Sequence, residues 1–157
     1  MTLCDTFGGN FCEKLLQYFA TSDPAVDNLD RFDQFLKDFP AGQGYLALLQ
    51  YAQDIRKDSY TRFDYGGIAN MDKYHQLTPP EVPLSDISVP VAMVIGQFDK
   101  LATPADAEWT ANKISNALVF KETYPLGHLA FSLAKDMSWF TNDIVPLIAQ
   151  YATNSQI

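Results

Sequence analysis

The chain has 157 residues, of which 47% are apolar, so it is long enough to form one domain of ordinary size with a sizeable core. Nineteen acidic against eleven basic residues give a net charge of −8, which repels polyphosphate and argues against a nucleic-acid partner. No stretch approaches the roughly 18 apolar residues of a transmembrane segment, and no basic-then-apolar pattern at the amino terminus signals secretion.

The cysteines and histidines do not form a metal-binding pattern. Cys4 and Cys12 lie eight positions apart, a spacing that fits neither a zinc ribbon nor a Cys-x-x-Cys redox pair. The two histidines, His75 and His128, are separated by 53 positions. We therefore predict no metal site and no cofactor.

Residues 1 to about 80 show the apolar spacing of helices. Three runs repeat at intervals of three and four residues: Phe11, Leu15, Leu16 and Phe19; Leu29, Phe32, Phe35, Leu36 and Phe39; and Tyr45, Leu48, Leu49, Ala52 and Ile55. Asp23-Pro24 and Pro40-Ala41-Gly42 break the chain between them. Such a set could be the core of a helix bundle or a substrate-facing cap, and periodicity alone favours the core.

A predicted strand follows a proline-punctuated, extended segment that contains Pro79, Pro80, Pro83 and Pro90. The apolar run from Val91 to Ile95 is typical of a buried strand, and Gly96 closes it. This places Asp99 on the loop beyond the carboxyl end of the strand. Catalytic residues of open α/β sheets collect at that edge.

The next elements predict a partner for Asp99. A helix with Pro104 in its first turn leads to a second strand, Ala117 to Tyr124, and then to His128, which is 29 positions after Asp99. Consecutive parallel strands joined by one helix would bring the two side chains onto adjacent loops. A histidine can accept a proton from a nucleophile while a carboxylate orients its ring. Either residue alone could equally be an ordinary loop residue, but together they indicate the acid and base of a hydrolase triad.

The nucleophile of such a triad has no counterpart in this sequence. A hydrolase of this kind needs a serine in a Gly-x-Ser-x-Gly turn upstream of the acid and the base. None of the eight serines has that setting, and neither do the two cysteines. After His128, a closing amphipathic helix is predicted from Trp139, Phe140, Ile144, Leu147, Ile148 and Tyr151. We therefore expect the chain to be a fragment of a larger hydrolase.

Two segments resemble the acid lipase family of gastric and lysosomal lipases. GQFDKLATPAD follows the family pattern Gly-x-x-Asp-x-Leu-Ala-x-Pro-x-Asp, and YPLGHLAF contains the later His-x-x-Phe pattern. By this resemblance Asp99 matches the triad acid and His128 the triad base. Ala130 stands where the family usually has an aspartate, which puts in doubt any supporting role for a carboxylate at that position.

The resemblance extends upstream. The stretch DFPAGQGYLALLQYAQ, ending at Gln53, resembles the cap segment of acid lipases, and the runs at residues 62–66 and 74–80 also follow the family. His75 stands where the family more often has an acidic residue, and we interpret it as a surface residue. The family's cap carries a short-range disulfide, so the resemblance implies a Cys4–Cys12 bridge; the alternative is two free thiols.

The resemblance implies an α/β fold in which residues 84–157 are the carboxyl-terminal portion of an α/β-hydrolase, with its last two parallel strands and closing helices. Residues 1–83 would be a preceding helical cap. The implied function is hydrolysis of lipid esters, triacylglycerols or steryl esters, with transient contact between the cap and a lipid interface, in a secreted or lysosomal protein. The alternatives are another α/β-hydrolase, such as an esterase or epoxide hydrolase, or a non-catalytic binding protein derived from a hydrolase.

Overall fold

The computed structural model describes Lys14, Tyr18, Asp23 and residues 25–38 and 42–154. The elements in order are α1 (Phe32–Asp38), α2 (Tyr45–Lys57), α3 (Gly67–Tyr74), β1 (Val91–Gly96), α4 (Pro104–Lys113), β2 (Leu118–Tyr124), α5 (Ala130–Leu133) and α6 (Val145–Asn154). Short 3-10 helices cover Leu29–Arg31 and Leu84–Asp86. Over these described ranges, no helix has the length and apolar character needed to cross a membrane.

The sheet consists of β1 and β2, which pair in parallel from Val91 opposite Leu118 to Gly96 opposite Tyr124. Both predicted strands are present and parallel. Gly96 is the last residue of β1 rather than the residue after it, and β2 begins one residue later than predicted. Because the two strands are parallel, the loops after β1 and β2 leave the sheet at the same edge.

Helix α4 begins directly after the loop that carries Asp99. Thr103 is its N-cap, and its hydroxyl accepts a hydrogen bond from the Asp106 amide at 3.2 Å. The same hydroxyl donates to the Asp106 carboxylate at 2.7 Å, so the two side chains satisfy each other across the first turn. Pro104 occupies the first helical position, where the missing amide hydrogen costs nothing.

The core lies around α5 and the loop before it. One cluster contains Phe32, Leu129 and Leu133, with Phe35 packed against it. A second cluster contains Leu126, Ala130 and Ala134, surrounded by Val26, Tyr124, Phe131, Met137 and Trp139. The segment before α1 is bound to this core, because the Asn28 amide donates to the Leu133 carbonyl at 2.6 Å and the Lys135 amide donates to Val26 at 2.9 Å.

Helix α2 turns its polar face toward the protein. Gln50 donates to the Thr61 carbonyl at 2.8 Å, and Gln53 bonds the backbone of Asp64 in both directions, at 2.8 and 2.9 Å. The predicted apolar stripe faces solvent instead: Tyr45 is 72% exposed and Ile55 is 77% exposed. The helix-bundle core favoured by periodicity is therefore wrong for α2, because the loop at residues 61–64 satisfies the polar face and leaves the apolar face outside.

The closing helix is irregular at its start. A π-helical turn covers Phe140–Ile144 and runs into α6. Pro146 lies just inside α6, where a regular helix would lose a hydrogen bond and its ring would clash with the carbonyl of Asn142. The π turn lies immediately before this proline. The sequence pattern predicted the helix but not this turn, and it also missed α3 and α5.

Several predictions lie outside the described residues. These are the first helix with Phe11, Leu15, Leu16 and Phe19, the break at Pro40 and Ala41, and the Cys4–Cys12 bridge. The division into a cap at residues 1–83 and a hydrolase portion at residues 84–157 stays a prediction.

Candidate active site

Asp99 lies three residues beyond β1, and its side chain is almost fully buried, with 3% exposed. Its Oδ1 atom accepts hydrogen bonds from the amides of Leu101 and Ala102, at 2.8 and 2.9 Å. Its amide donates to the Gly96 carbonyl at 3.1 Å, which closes a tight turn. These bonds fix the carboxylate, so that Oδ2 is left to face the neighbouring loop.

His128 lies four residues beyond β2, and its Nδ1 atom is 2.9 Å from Oδ2 of Asp99. The imidazole side chain is 40% exposed, in contrast to the carboxylate that it contacts. With Nδ1 directed at Asp99, Nε2 is the ring atom through which the histidine can exchange protons with a substrate or nucleophile. The structure thus brings together the two residues that the sequence predicted as a pair.

A cleft of about 500 Å³ lies beside the pair. Its lining includes consecutive residues 92–96 of β1, Ala107 and Thr110 of α4, and Asp99, His128 and Phe131. Because adjacent residues of one strand line the cleft, it follows the edge of β1 rather than one face of the sheet.

Two other titratable residues are separate from the pair. Asp106 lines the cleft, but its carboxylate is hydrogen bonded to Thr103 at the start of α4. His75 is exposed, as predicted, and ends α3 in the left-handed backbone conformation. In the part of the chain that the structure describes, no group of three histidine, cysteine or acidic residues could hold a metal ion.

Sequence reasoning missed the backbone contributions to the site. The Leu101 and Ala102 amides are invisible in a motif, although a loop aspartate often accepts the amide two residues further on. The role of Leu126 was also missed: its carbonyl accepts the Phe98 amide at 3.1 Å and so joins the two loops.

A buried carboxylate paired with a histidine, at the ends of neighbouring parallel strands joined by one helix, is characteristic of α/β-hydrolases. No family model matches the chain. Curated proteins do match it. The chain is 36% identical to gastric triacylglycerol lipase of Rattus norvegicus over 141 residues, which is 88% of this chain and 36% of that protein. It is 34% identical to tear acid lipase-like protein of Mesocricetus auratus over 129 residues, which is 82% of this chain and 32% of that protein.

The human protein lipase member K is 31% identical over 145 residues, which is 91% of this chain and 36% of that protein. The chain belongs to the acid lipase family. It spans about a third of the length of these relatives.

Proposed function

We propose that the chain is the carboxyl-terminal part of a lipid ester hydrolase and supplies the acid and the base of its Ser-His-Asp triad. The substrates would be triacylglycerols or steryl esters. The observation that carries the proposal is the 2.9 Å contact between His128 Nδ1 and Asp99 Oδ2 at the edge where both strands end. Membership of the acid lipase family supports the substrate class.

In the proposed reaction, His128 acts through Nε2. It accepts the proton of a serine hydroxyl as the serine oxygen attacks the ester carbonyl, and it then donates that proton to the departing alcohol. In the second half of the reaction, His128 accepts a proton from water as the water oxygen attacks the carbonyl of the acyl-enzyme. It then donates that proton to the serine oxygen as the ester bond to serine breaks and the carboxylic acid leaves. The serine and the oxyanion-binding amides would lie in the part of the protein upstream of this chain.

Asp99 would hold the imidazole and stabilise its cationic form. A carboxylate can do so only if it keeps one orientation while the charge on the ring changes. The amides of Leu101 and Ala102 hold Oδ1, so Oδ2 stays directed at Nδ1. The burial of Asp99 adds to the effect, because a charge interaction is stronger where water is excluded.

We place the lipid-facing surface of the protein on α2. Four large side chains of this helix are exposed, and we call them the outer stripe: Tyr45, Leu48, Tyr51 and Ile55. The polar face of the helix is bonded to the protein, the reverse of an ordinary surface helix. An outward apolar stripe of this kind suits transient contact with a lipid interface. An enzyme of this class would work outside the cytosol, in a secreted or lysosomal setting.

The test uses a fusion protein in which this chain follows the complementary amino-terminal part of the rat gastric lipase. We expect His128→Ala to abolish turnover of a triacylglycerol, and Asp99→Asn to lower kcat by about 10³- to 10⁴-fold through loss of tautomer control. His75→Ala is the matched control and should leave turnover unchanged. Near-normal kcat in Asp99→Asn, with a loss in Asp106→Asn, would show that Asp106 is the orienting acid and that the proposal is wrong.

A further inference from the structure

We infer that Gly96 and the hydrogen bond from the Phe98 amide to the Leu126 carbonyl are positioning elements for the Asp99–His128 pair. The inference rests on the proposed function, since positioning matters only if the pair acts in a reaction. The geometry behind it does not depend on the substrate. Because Gly96 has no side chain, the loop after β2 can approach the loop after β1.

Two backbone bonds continue the pairing from the end of the strands into these loops. The Gln97 amide donates to the Tyr124 carbonyl at 2.8 Å, and the Phe98 amide donates to the Leu126 carbonyl at 3.1 Å. Asp99 follows Phe98 directly, and His128 lies two residues beyond Leu126. The second bond therefore sets the separation of the two backbones immediately before the side chains that meet.

The approach of Leu126 leaves no room for a side chain at position 96. A methyl group there would lie 2.7 Å from the Leu126 carbonyl oxygen. Carbon–oxygen contacts normally lie at about 3.3 Å or more, so the loop would have to move away by about 0.6 Å. The displaced atom would be the acceptor of the Phe98 bond, and hence the bond itself would be strained.

The surroundings cannot absorb this displacement easily. The same methyl group would lie 3.1 Å from the Phe131 ring and 3.2 Å from the Asp99 Cβ atom. The Phe131 ring packs edge-on against Trp139, with 5.5 Å between centroids, and Leu126 is itself buried in the core. A change at position 96 is therefore transmitted to both loops of the site.

In the fusion protein, we expect Gly96→Ala to lower kcat by about 10- to 100-fold with little change in KM, because misplacement of catalytic groups by about 1 Å can cost a hundredfold. The hydrogen-bonded Nδ1 proton signal of His128 should weaken or vanish in the NMR spectrum. Gly44→Ala is the matched control, because a methyl group there meets no atom within 4 Å. Wild-type kcat and an unchanged Nδ1 signal in Gly96→Ala would overturn the inference.

A second substitution separates the carbonyl contact from the ring contact. When Phe131→Leu is added to Gly96→Ala, the crowded ring is removed but the Leu126 carbonyl stays. The double variant should therefore keep the low kcat of Gly96→Ala. Full restoration would mean that only Phe131 is displaced, and would overturn the inference. Turnover that survives in His128→Ala would instead defeat the proposed function, which makes the two failures distinguishable.

A third measurement needs no substitution and applies even if Gly96→Ala does not fold. In the unsubstituted chain, the Phe98 amide should exchange with solvent as slowly as the strand amide of Ile95, although it lies beyond the strand. Exchange at least a hundredfold faster at Phe98 would show that the bond does not hold the loops together, and would overturn the inference.

Discussion

The carboxylate of Asp64 is held by donors from three directions. The Lys57 ammonium pairs with Oδ2, while the Asn70 side chain and the Gly66 amide donate to Oδ1 at 2.7 and 2.9 Å. The bond from Lys57 is the main reason that the pKa of Asp64 falls from 3.8 to about 2, followed by the bonds from Asn70 and Gly66. Because Lys57 lies on α2 and Asn70 on α3, these bonds connect the two helices with the loop between them. Asn70 is buried and also donates to the Leu77 carbonyl after α3.

The lowered pKa predicts the acid response of this region. A carboxylate with a lower pKa in the folded state stabilises that state above the unfolded pKa and loses the contribution as pH falls through the folded value. The contribution of Asp64 should therefore be complete above about pH 4 and decline toward about pH 2. Lys57→Met should raise the pKa of Asp64 in a carboxyl-carbon NMR titration.

Lys73→Met provides the control for that titration. Lys73 lies on α3 and stacks over the Tyr65 ring at 4.7 Å. Its removal should therefore leave the pKa of Asp64 unchanged. An equal shift in both variants would mean that general charge, not the Lys57 pair, sets the pKa.

The orientation of helix α2 determines which of its side chains face solvent. Thirteen residues form it, and none of them is buried. Its polar side chains reach Thr61 and Asp64, while Tyr51 and Ile55, 73% and 77% exposed, face outward. An isolated helix of this length is marginal in water, so the polar contacts with the loop stabilise it in place of apolar burial.

If the outer stripe contacts lipid, its removal should weaken adsorption of the chain to a triacylglycerol emulsion. We expect the double variant Tyr51→Ser, Ile55→Ser to bind about 10- to 30-fold more weakly, at about 1 kcal/mol for each partly buried side chain. Flotation with the emulsion measures the bound fraction. Val89→Ser is the control, since Val89 is 65% exposed but lies on the loop before β1. Equal flotation of all variants would place the lipid contact elsewhere.

At the scale of the whole molecule, the sheet has an open edge. Among the described residues β1 pairs with β2 alone, and the Val91 and Gln97 amides both point toward β2. Since amide directions alternate along a strand, the Ala92 and Val94 amides point away from β2, and both residues line the cleft. Parallel strands are normally covered and paired on both sides, and an open edge favours association with other chains.

We therefore predict that the 157-residue chain by itself hydrolyses esters no faster than its His128→Ala variant and tends to self-associate. A histidine–aspartate pair without a positioned nucleophile and oxyanion donors supplies only about 10²- to 10⁴-fold, far below what ester hydrolysis by such a site requires. Labelling with a serine-directed fluorophosphonate, with light scattering for association, tests this. Labelling of one of the chain's own serines in proportion to turnover would show that the nucleophile lies within it.

The sequence by itself determined the two strands, the helix between them and the Asp99–His128 pair. These features are encoded locally: an apolar run makes a strand, a threonine and a proline start α4, and parallel strands carry their following loops to one edge. The resemblance to acid lipases rested on the segments around Asp99 and His128 and on short runs upstream of them, and the relatives confirm it.

Only the tertiary structure decided which way α2 faces, how residues 25–28 pack on the core, and why position 96 is a glycine. The apolar spacing of α2 is the same whether its stripe is buried or exposed, and the outcome depends on a loop about eleven residues away that bonds its glutamines. Likewise, Gly96 is needed because of Leu126, a residue of the other strand's loop. Such contacts join residues that are distant in the chain, and local periodicity carries no information about them.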